Sequence, residues 1–295
     1  MRRARGSRPW KTATLTAFAG TALIAILALS LPALAWDSRT HMVITGLAID
    51  AMAQSPLKAA FERNRAQLEE HSVEPDTVLR PLYGKAEGRR HYIDLENFGP
   101  DATSKLKPDF HVMEAQYGAP LIDRTGTLPW AIEDEASALA AAERRGDCGE
   151  ALRHAGYLAH YVGDASQPLH TTIHFDGYAG DAGVHARLEG ATDRFVGEIA
   201  AMARGQVRAQ QIDSVWTQVI AEIRSANGLV EQTITTDRTL VAQYGRRGDA
   251  YDNALIRREG AMIAAQVAQA ASVLASIWIY EWNAAGAPSV CGAAH

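Results

Sequence analysis

The sequence predicts an all-α protein, and three observations lead to that prediction. Ala-rich amphipathic stretches recur along most of the chain at helical spacing. Runs of β-branched residues with period-two alternation are nearly absent, so a sheet of any size is not expected. No internal repeat and no linker-like segment divides the chain, which favours a single compact multi-helix domain.

Residues 1–35 are predicted to be a secretory signal peptide. Basic residues begin the chain, an apolar run follows, and Ala33-Leu34-Ala35 supplies a small-x-small cleavage site. Cleavage there would give Trp36 a free α-amine. No second stretch is judged apolar and long enough to span a bilayer. The remaining domain, 36–295, is therefore expected to be secreted or periplasmic, without a membrane span, and monomeric.

The charge of the mature chain limits the kinds of partner. The signal carries five of the 29 basic residues and no acidic ones, which leaves 24 basic and 34 acidic residues, a net charge of −10. This balance argues against a protein held on nucleic acid by a basic surface. An enzyme acting on nucleic acid is not excluded, because bound metal cations would add positive charge locally.

The chain has two cysteines, Cys148 and Cys291. In an exported protein the simplest expectation is one disulfide that ties the C-terminal tail to the middle of the domain. The pair is too sparse for a cysteine-based zinc site.

Seven stretches are predicted to be helical, and the last is expected to be a central core helix because its apolar residues recur at helical spacing. They are 41–54, 56–70, 131–145, 149–166, 184–204, 209–226 and 252–284. Two polar regions with Gly and Pro, about 71–128 and 171–183, are predicted to be loops. The first is long for a structureless connection, which favours a functional role.

Histidine and acidic residues occur at metal-ligand spacings in the middle of the chain. His160 and Asp164 are i and i+4 on one predicted helix face, so both side chains could reach one metal ion. Pro168 should end that helix, which places His170 just beyond it. Taken alone, such a pair is more often a contact on a helix surface.

Further clusters make a site with several metal ions a serious alternative to that interpretation. His185 and Glu189 repeat the i, i+4 spacing, Asp76 and His91 lie in the long polar region, and His41 follows the expected N-terminal amine. Nitrogen and oxygen ligands without thiolates suit catalytic zinc sites that keep open positions.

The run His-Tyr-Val-Gly-Asp-Ala-Ser-Gln-Pro-Leu-His at 160–170, together with an N-terminal Trp after a signal, resembles a known superfamily. It joins the bacterial zinc-dependent phospholipases C and the fungal-type zinc-dependent single-strand nucleases. The resemblance covers nearly the whole mature chain. It implies an all-α fold with a trinuclear zinc cleft and hydrolysis of phosphodiester P–O bonds by a water that the zinc ions activate.

The resemblance also implies three ligand sets in which Asp164 would bridge two zinc ions. The sets are Asp76, His91, His160 and Asp164; His170, His185 and Glu189; and the amine and carbonyl of Trp36 with His41 and Asp164. Asp76 is also the candidate catalytic residue, since it could orient or deprotonate the attacking water.

The substrate is less clearly indicated. Glu189 and the short step from His170 to His185 resemble the phospholipases, whereas the step from Trp36 to His41 resembles the nucleases. Thr77 and Gly88 stand where the choline-preferring phospholipase has aromatic residues, so an aromatic box for a quaternary ammonium is not visible.

Tyr92 and Asp94 match the positions at which the nucleases stack on a base and hydrogen-bond to it, and are the candidate substrate-binding residues. A core tyrosine and a carboxylate that orients a metal ligand are the alternatives for these two residues. We favour a phospholipase C, with a single-strand nuclease acting on DNA or RNA as the alternative. A non-catalytic periplasmic metal-binding protein is a third, minor possibility.

Overall fold

In a computed structural model that describes residues 38–289 and 291, the chain folds into α-helices joined by short turns, with no β-strand among the described residues. This confirms the all-α prediction. The helices are α1 (Ser38–Ala51), α2 (Pro56–Arg63), α3 (Arg65–His71), α4 (Arg80–Tyr83), α5 (Lys85–Gly88), α6 (Ala102–Lys105), α7 (Phe110–Tyr117), α8 (Ala119–Thr125), α9 (Leu128–Arg145), α10 (Cys148–Ser166), α11 (Val184–Arg194), α12 (Val196–Arg204), α13 (Val215–Asn227), α14 (Val230–Tyr244) and α15 (Asp249–Ala284). The predicted signal peptide and Trp36 lie outside the described residues.

Helix α15 is the central core helix that the sequence predicts. It is 36 residues long and contacts α1 and each of the helices from α9 to α14. Ile263, Val267, Leu274 and Trp278 are fully buried along it. By length and composition this helix could cross a membrane, whereas the sequence predicted no such stretch. Within its most apolar segment, however, 67% is buried inside the protein. That burial is typical of the core helix of a bundle.

Helices α9 and α10 form a hairpin whose turn is determined by local sequence. Gly146 ends α9 in the left-handed conformation (φ 68°), which a residue without a Cβ adopts readily. Asp147 then caps α10 by accepting a hydrogen bond from the backbone N–H of Glu150. Helix α10 ends before Pro168, as predicted.

Two predicted helices are each divided in the structure, and a third begins later than expected. The 56–70 helix is interrupted at Asn64 and the 184–204 helix at Phe195. Helix α13 begins at Val215, because Ser214 caps it by accepting a hydrogen bond from the N–H of Thr217.

The 71–128 region is not the loop that the sequence predicted. It contains α4 to α8, a π-helical turn (Pro75–Leu79) and two 3₁₀ turns (Arg89–His91 and Leu95–Phe98). These segments are too short to show helical periodicity in the sequence. The 171–183 region, in contrast, contains no helix or strand.

The predicted disulfide between Cys148 and Cys291 is confirmed, and their Cα atoms are 4.9 Å apart. The bond joins the N-terminus of α10 to the segment after α15. A disulfide suits the expected export of the protein, because such bonds persist in oxidising compartments.

Candidate metal centre

His160 and Asp164 lie at the centre of the candidate site, and neither has any solvent-exposed surface. Their i, i+4 spacing on α10 places His160 Nε2 3.4 Å from Asp164 Oδ2. A charged carboxyl group in this position needs a compensating partner, because an unpaired buried charge is costly.

The first donor group joins His160 to two residues that the sequence placed in a loop. Asp76, on the π-helical turn, and His91, on the first 3₁₀ turn, are both buried. His91 Nδ1 lies 3.0 Å from His160 Nε2 and 3.6 Å from Asp76 Oδ1. One donor atom from each of the three residues lies within 4.8 Å of the others.

The second donor group consists of His170, on the 3₁₀ turn Pro168–His170, and His185 and Glu189, one turn apart on α11. His170 Nε2 is 3.0 Å from His185 Nε2, and Glu189 Oε1 is 2.6 Å from His185 Nε2. All three side chains are at least 95% buried. Gln167 donates a hydrogen bond of 2.8 Å to Glu189 Oε1, which fixes that carboxylate.

The third donor group brings His41 of α1 against His160 and Asp164. The rings of His41 and His160 are stacked with centroids 4.0 Å apart, and His41 Nε2 lies 3.5 Å from Asp164 Oδ1. Gly163 permits this approach, because a Cβ at that position would lie 2.8 Å from His41 Nδ1. The amine of Trp36, predicted to complete this group, lies outside the described residues.

The two oxygens of Asp164 face different groups. Oδ2 lies 3.1 Å from His91 Nδ1, whereas Oδ1 lies on the side of His41 and 3.7 Å from His170 Nδ1. The arrangement is compatible with the predicted bridging role of this carboxylate. The full ligand sets remain predictions.

Backbone carbonyls determine which ring nitrogen two of the histidines present to the site. His160 Nδ1 donates to the carbonyl of Ser72 at 2.9 Å, and His170 Nδ1 donates to the carbonyl of His91 at 2.6 Å. Because the proton resides on Nδ1 in each ring, Nε2 carries a free lone pair and can act as a metal ligand.

The electrostatics of the site favour neutral imidazoles. Burial lowers the pKa of His41, His91, His160 and His170 below the ordinary value. These rings therefore carry no charge near neutral pH, which is the form that binds metal ions.

The pKa values of the three carboxylates shift in different directions. Burial, strengthened by the charges of Asp76 and Glu189, raises the pKa of Asp164 well above its ordinary value. Burial also raises the pKa of Asp76, but the interactions with His160, His91 and Arg80 lower this pKa by a larger amount, so that the net shift is downward. The pKa of Glu189 is lowered in the same way by His185 and His170. Positive charge placed between these groups would stabilise all three carboxylates.

The donor set fits zinc. It consists of imidazole nitrogens and carboxylate oxygens without thiolates, as in catalytic zinc sites. Asp164 Oδ1 and both ring nitrogens of His41 are buried and make no hydrogen bond of normal geometry with any residue that the structure describes. Unsatisfied donors and acceptors of this kind are rare in a folded interior, and a bound cation would explain them.

Two charged residues that are not among the predicted site residues lie next to the first donor group. Arg80 Nη1 pairs with Asp76 Oδ1 at 3.0 Å, and buried Glu87 Oε1 lies 3.3 Å from His91 Nε2. Glu87 and His91 have the same i, i+4 spacing that drew attention to His160 and Asp164. This spacing indicates a shared face only within a helix, and the polar composition of the segment predicts a loop instead.

The candidate substrate residues lie beside the first donor group. Tyr92 and Asp94 are both partly buried on the segment that follows His91. Burial and the charge of Glu96 raise the pKa of Asp94 to about 7. Tyr92 packs against Gly126, where its carbonyl and ring leave no room for a Cβ. Their roles toward a substrate remain predictions.

No protein-family model matches the chain, and no curated protein sequence matches it. Several solved structures are similar to it, including two clostridial toxins. The alpha-toxin of Clostridium absonum has a TM-score of 0.46 and 13% identity, covering 83% of this chain and 64% of the toxin. The alpha-toxin of an avian strain of Clostridium perfringens has a TM-score of 0.47 and 15% identity, covering 88% of this chain and 66% of the toxin. This chain thus spans about two thirds of the length of each toxin, and at such low similarity no function is transferred from either.

Proposed function

We propose that this protein is a zinc-dependent phosphodiesterase that hydrolyses phosphodiester P–O bonds, and that it acts as a phospholipase C. One observation carries the proposal. Three buried groups of histidine and carboxylate donors lie next to one another, and His160 belongs to two of them. Asp164, in the group of His41, also faces His91 of the first group and His170 of the second. Adjacent metal ions that share a carboxylate are the arrangement that suits displacement at phosphorus.

Zinc bound in these groups would polarise a phosphoryl oxygen and lower the pKa of an attacking water. The protein's own residues have separate roles. The carboxylate of Asp76 would accept a hydrogen bond from that water and orient it. Together with His160 and His91, Arg80, which pairs with Asp76 at 3.0 Å, favours the ionised form of this carboxylate, and its positive charge would help to stabilise a nearby phosphoryl group.

Exposed apolar side chains near the donor groups favour an amphiphilic substrate. Leu82 is 69% exposed and Tyr83 is 63% exposed, a few residues after Asp76 in the chain. Phe175 is 50% exposed, a few residues after His170, and its ring centroid lies 6.1 Å from that of His185. Leu82 and Tyr83 are consecutive, and neighbouring exposed apolar groups, unlike single ones, are typical of surfaces that contact lipid or protein. They support a phospholipid rather than a soluble diester as the substrate.

A single-strand nuclease is the second candidate, and Tyr92 is the observation that favours it. This partly buried aromatic ring directly follows His91, and Asp94 lies two residues further on. A base could stack on Tyr92 while Asp94 contacts its polar edge. The net charge of −10 expected for the mature chain weakens this alternative, because long-range attraction of nucleic acid would be absent.

The test uses the chain that begins at Trp36, supplied with zinc. It should hydrolyse bis(p-nitrophenyl) phosphate and release diacylglycerol from phospholipid vesicles, and both activities should be lost with a chelator or in His160→Ala. Release of nucleotides from single-stranded DNA or RNA without diacylglycerol would instead make it a nuclease. Tight zinc binding without turnover of any of these substrates would leave the non-catalytic metal-binding protein.

The role of the exposed apolar residues can be tested separately. Leu82→Ser should reduce the rate on vesicles several-fold and leave the rate on bis(p-nitrophenyl) phosphate unchanged. Met202→Ser is the matched control, since Met202 is also exposed (41%) but lies on α12. Equal vesicle rates for the two variants would remove this support for a lipid substrate.

A further inference from the structure

His91 lies between the metal donors on one side and a buried carboxylate on the other. Its Nδ1 faces Asp164 Oδ2 at 3.1 Å and His160 Nε2 at 3.0 Å. Its Nε2 is buried, makes no hydrogen bond of normal geometry within residues 38–289 and 291, and has Glu87 Oε1 at 3.3 Å. A small rotation of either side chain would convert this contact into an N–H···O hydrogen bond.

Glu87 is itself held firmly in place. It is 5% exposed, and the hydroxyl of Tyr161 donates a hydrogen bond to its Oε1. Arg90 Nε donates to that hydroxyl at 3.2 Å, while the guanidinium lies over the Tyr161 ring, 4.9 Å from its centroid. Arg90 Nη2 also pairs with Glu135 Oε1 at 2.6 Å. Glu87 Oε2 itself lies 3.9 Å from Arg90 Nε. A carboxylate that is bound by Tyr161 and lies against Arg90 has little freedom to turn away from His91.

The orientation of His91 therefore differs from that of its neighbours. His160 and His170 give their Nδ1 proton to neutral backbone carbonyls and present Nε2 to the site. His91 presents Nδ1 instead, and its outer nitrogen meets a carboxylate. A carboxylate behind a ligating histidine fixes the tautomer and raises the basicity of the nitrogen that binds the metal.

We propose that Glu87 is a positioning residue of the metal centre, which holds His91 protonated on Nε2 so that Nδ1 can bind zinc. Tyr161 keeps the Glu87 carboxylate directed at the ring. This inference rests on the proposed function only in assuming that the first donor group binds zinc. Loss of a partner of this type lowers metal affinity about 10–100-fold.

The experiment measures zinc affinity by competition with chelators on the chain that begins at Trp36. Glu87→Ala should weaken one zinc site about 10–100-fold, and Glu87→Gln should weaken it less, since an acceptor remains but the charge is lost. Tyr161→Phe should have a smaller effect in the same direction. The matched control is Glu222→Gln, because Glu222 is 1% exposed on α13 and lies beside a cavity that no metal-donor residue lines. Melting of each variant in excess chelator shows whether the fold is retained.

The tautomer of His91 provides a second measurement that does not depend on activity. Nitrogen NMR of ¹⁵N-histidine protein should find Nε2 of His91 protonated in the wild type, and this preference should weaken in Glu87→Ala. A wild-type zinc affinity in both Glu87 variants, equal to that of Glu222→Gln, would overturn the inference and leave the proposed function intact. A proton on Nδ1 of His91 would overturn it as well. Failure of the wild type to bind zinc would overturn the proposed function and, with it, the role of Glu87.

Discussion

Replacing Gly163 by alanine should damage the metal centre without removing any donor. Gly163 lies on α10 next to Asp164, where α1 crosses it and brings His41 against His160. An added Cβ would meet His41 Nδ1 at 2.8 Å, His41 Cε1 at 3.0 Å and Ile44 Cδ1 at 3.4 Å. Contacts shorter than 3.0 Å are essentially never adopted by real Cβ atoms, so the His41 ring or the whole of α1 must move.

The size of the effect follows from these distances. Ordinary van der Waals contact begins near 3.4 Å, so His41 Nδ1 must move by about 0.6 Å from its 2.8 Å position. Functional sites tolerate displacements of roughly 0.5 Å, and ligand distances in metal sites vary by only about 0.2 Å. We therefore expect at least a tenfold loss of zinc affinity at the His41 group. Overpacking should also cost about 1–3 kcal/mol of the free energy of unfolding.

Competitive zinc titration and urea unfolding in chelator would measure the two effects separately. Gly190→Ala is the matched control, because Gly190 is exposed inside α11 with nothing within 4 Å of an added Cβ. This control should stabilise the protein by up to about 1 kcal/mol through helix propensity. If Gly163→Ala bound every zinc ion as tightly as Gly190→Ala and unfolded at the same urea concentration, the steric argument would be refuted.

Three further predictions concern charge and covalent structure. Asp164→Asn should bind zinc at least tenfold more weakly but melt no lower than the wild type in chelator, because Asp164 Oδ1 is buried without a hydrogen-bond partner among the described residues, which is itself costly; near-normal zinc content would contradict this. Burial and the charge of Glu281 raise the pKa of Glu143 to about 8, so wild-type stability should fall as the pH rises from the ordinary value of 4.5 toward 8. Glu143→Gln lacks this titration and should therefore unfold at higher urea than the wild type at pH 9 but at similar urea at pH 5. Equal urea midpoints for the two proteins at both pH values would contradict the raised pKa of Glu143. Replacing Cys148 and Cys291 by alanine should lower the free energy of unfolding by about 2–5 kcal/mol, which urea unfolding would detect, and an unchanged midpoint would mean that the bond constrains little.

The side-chain proximities that the sequence alone could predict depend on local spacing. An i, i+4 pair shares one helix face in any helix, so the proximity of His160 and Asp164 follows as soon as α10 is recognised. The same holds for His185 and Glu189 on α11. Spacing alone could not bring Asp76 next to His160, because that approach depends on how distant segments pack. The family resemblance implies that the two residues are close, and the structure places His160 Nε2 3.9 Å from Asp76 Oδ2.

Helix α14 is not among the helices predicted from the sequence, and its buried side chains show why. Its buried face includes Thr233, Thr236 and Asp237, which do not register as an apolar stripe. In the fold two of these groups have specific partners: Asp237 pairs with Arg187 at 2.6 Å, and the Thr236 hydroxyl donates to Glu259 at 2.5 Å. A polar interface of this kind stabilises a helix only after both partners are in place, so periodicity of hydrophobic residues cannot reveal it.

The hydrogen bonds between the 3₁₀ turn of His170 and the His91 segment have a consequence for how the centre fills with metal. His170 Nδ1 donates to the carbonyl of His91, and the N–H of Ile93 donates back to the carbonyl of His170. Ordering either segment by a bound ion therefore orders the other. By thermodynamic reciprocity, the first two donor groups should assist each other equally, so zinc uptake should be cooperative and half-loaded protein should be scarce.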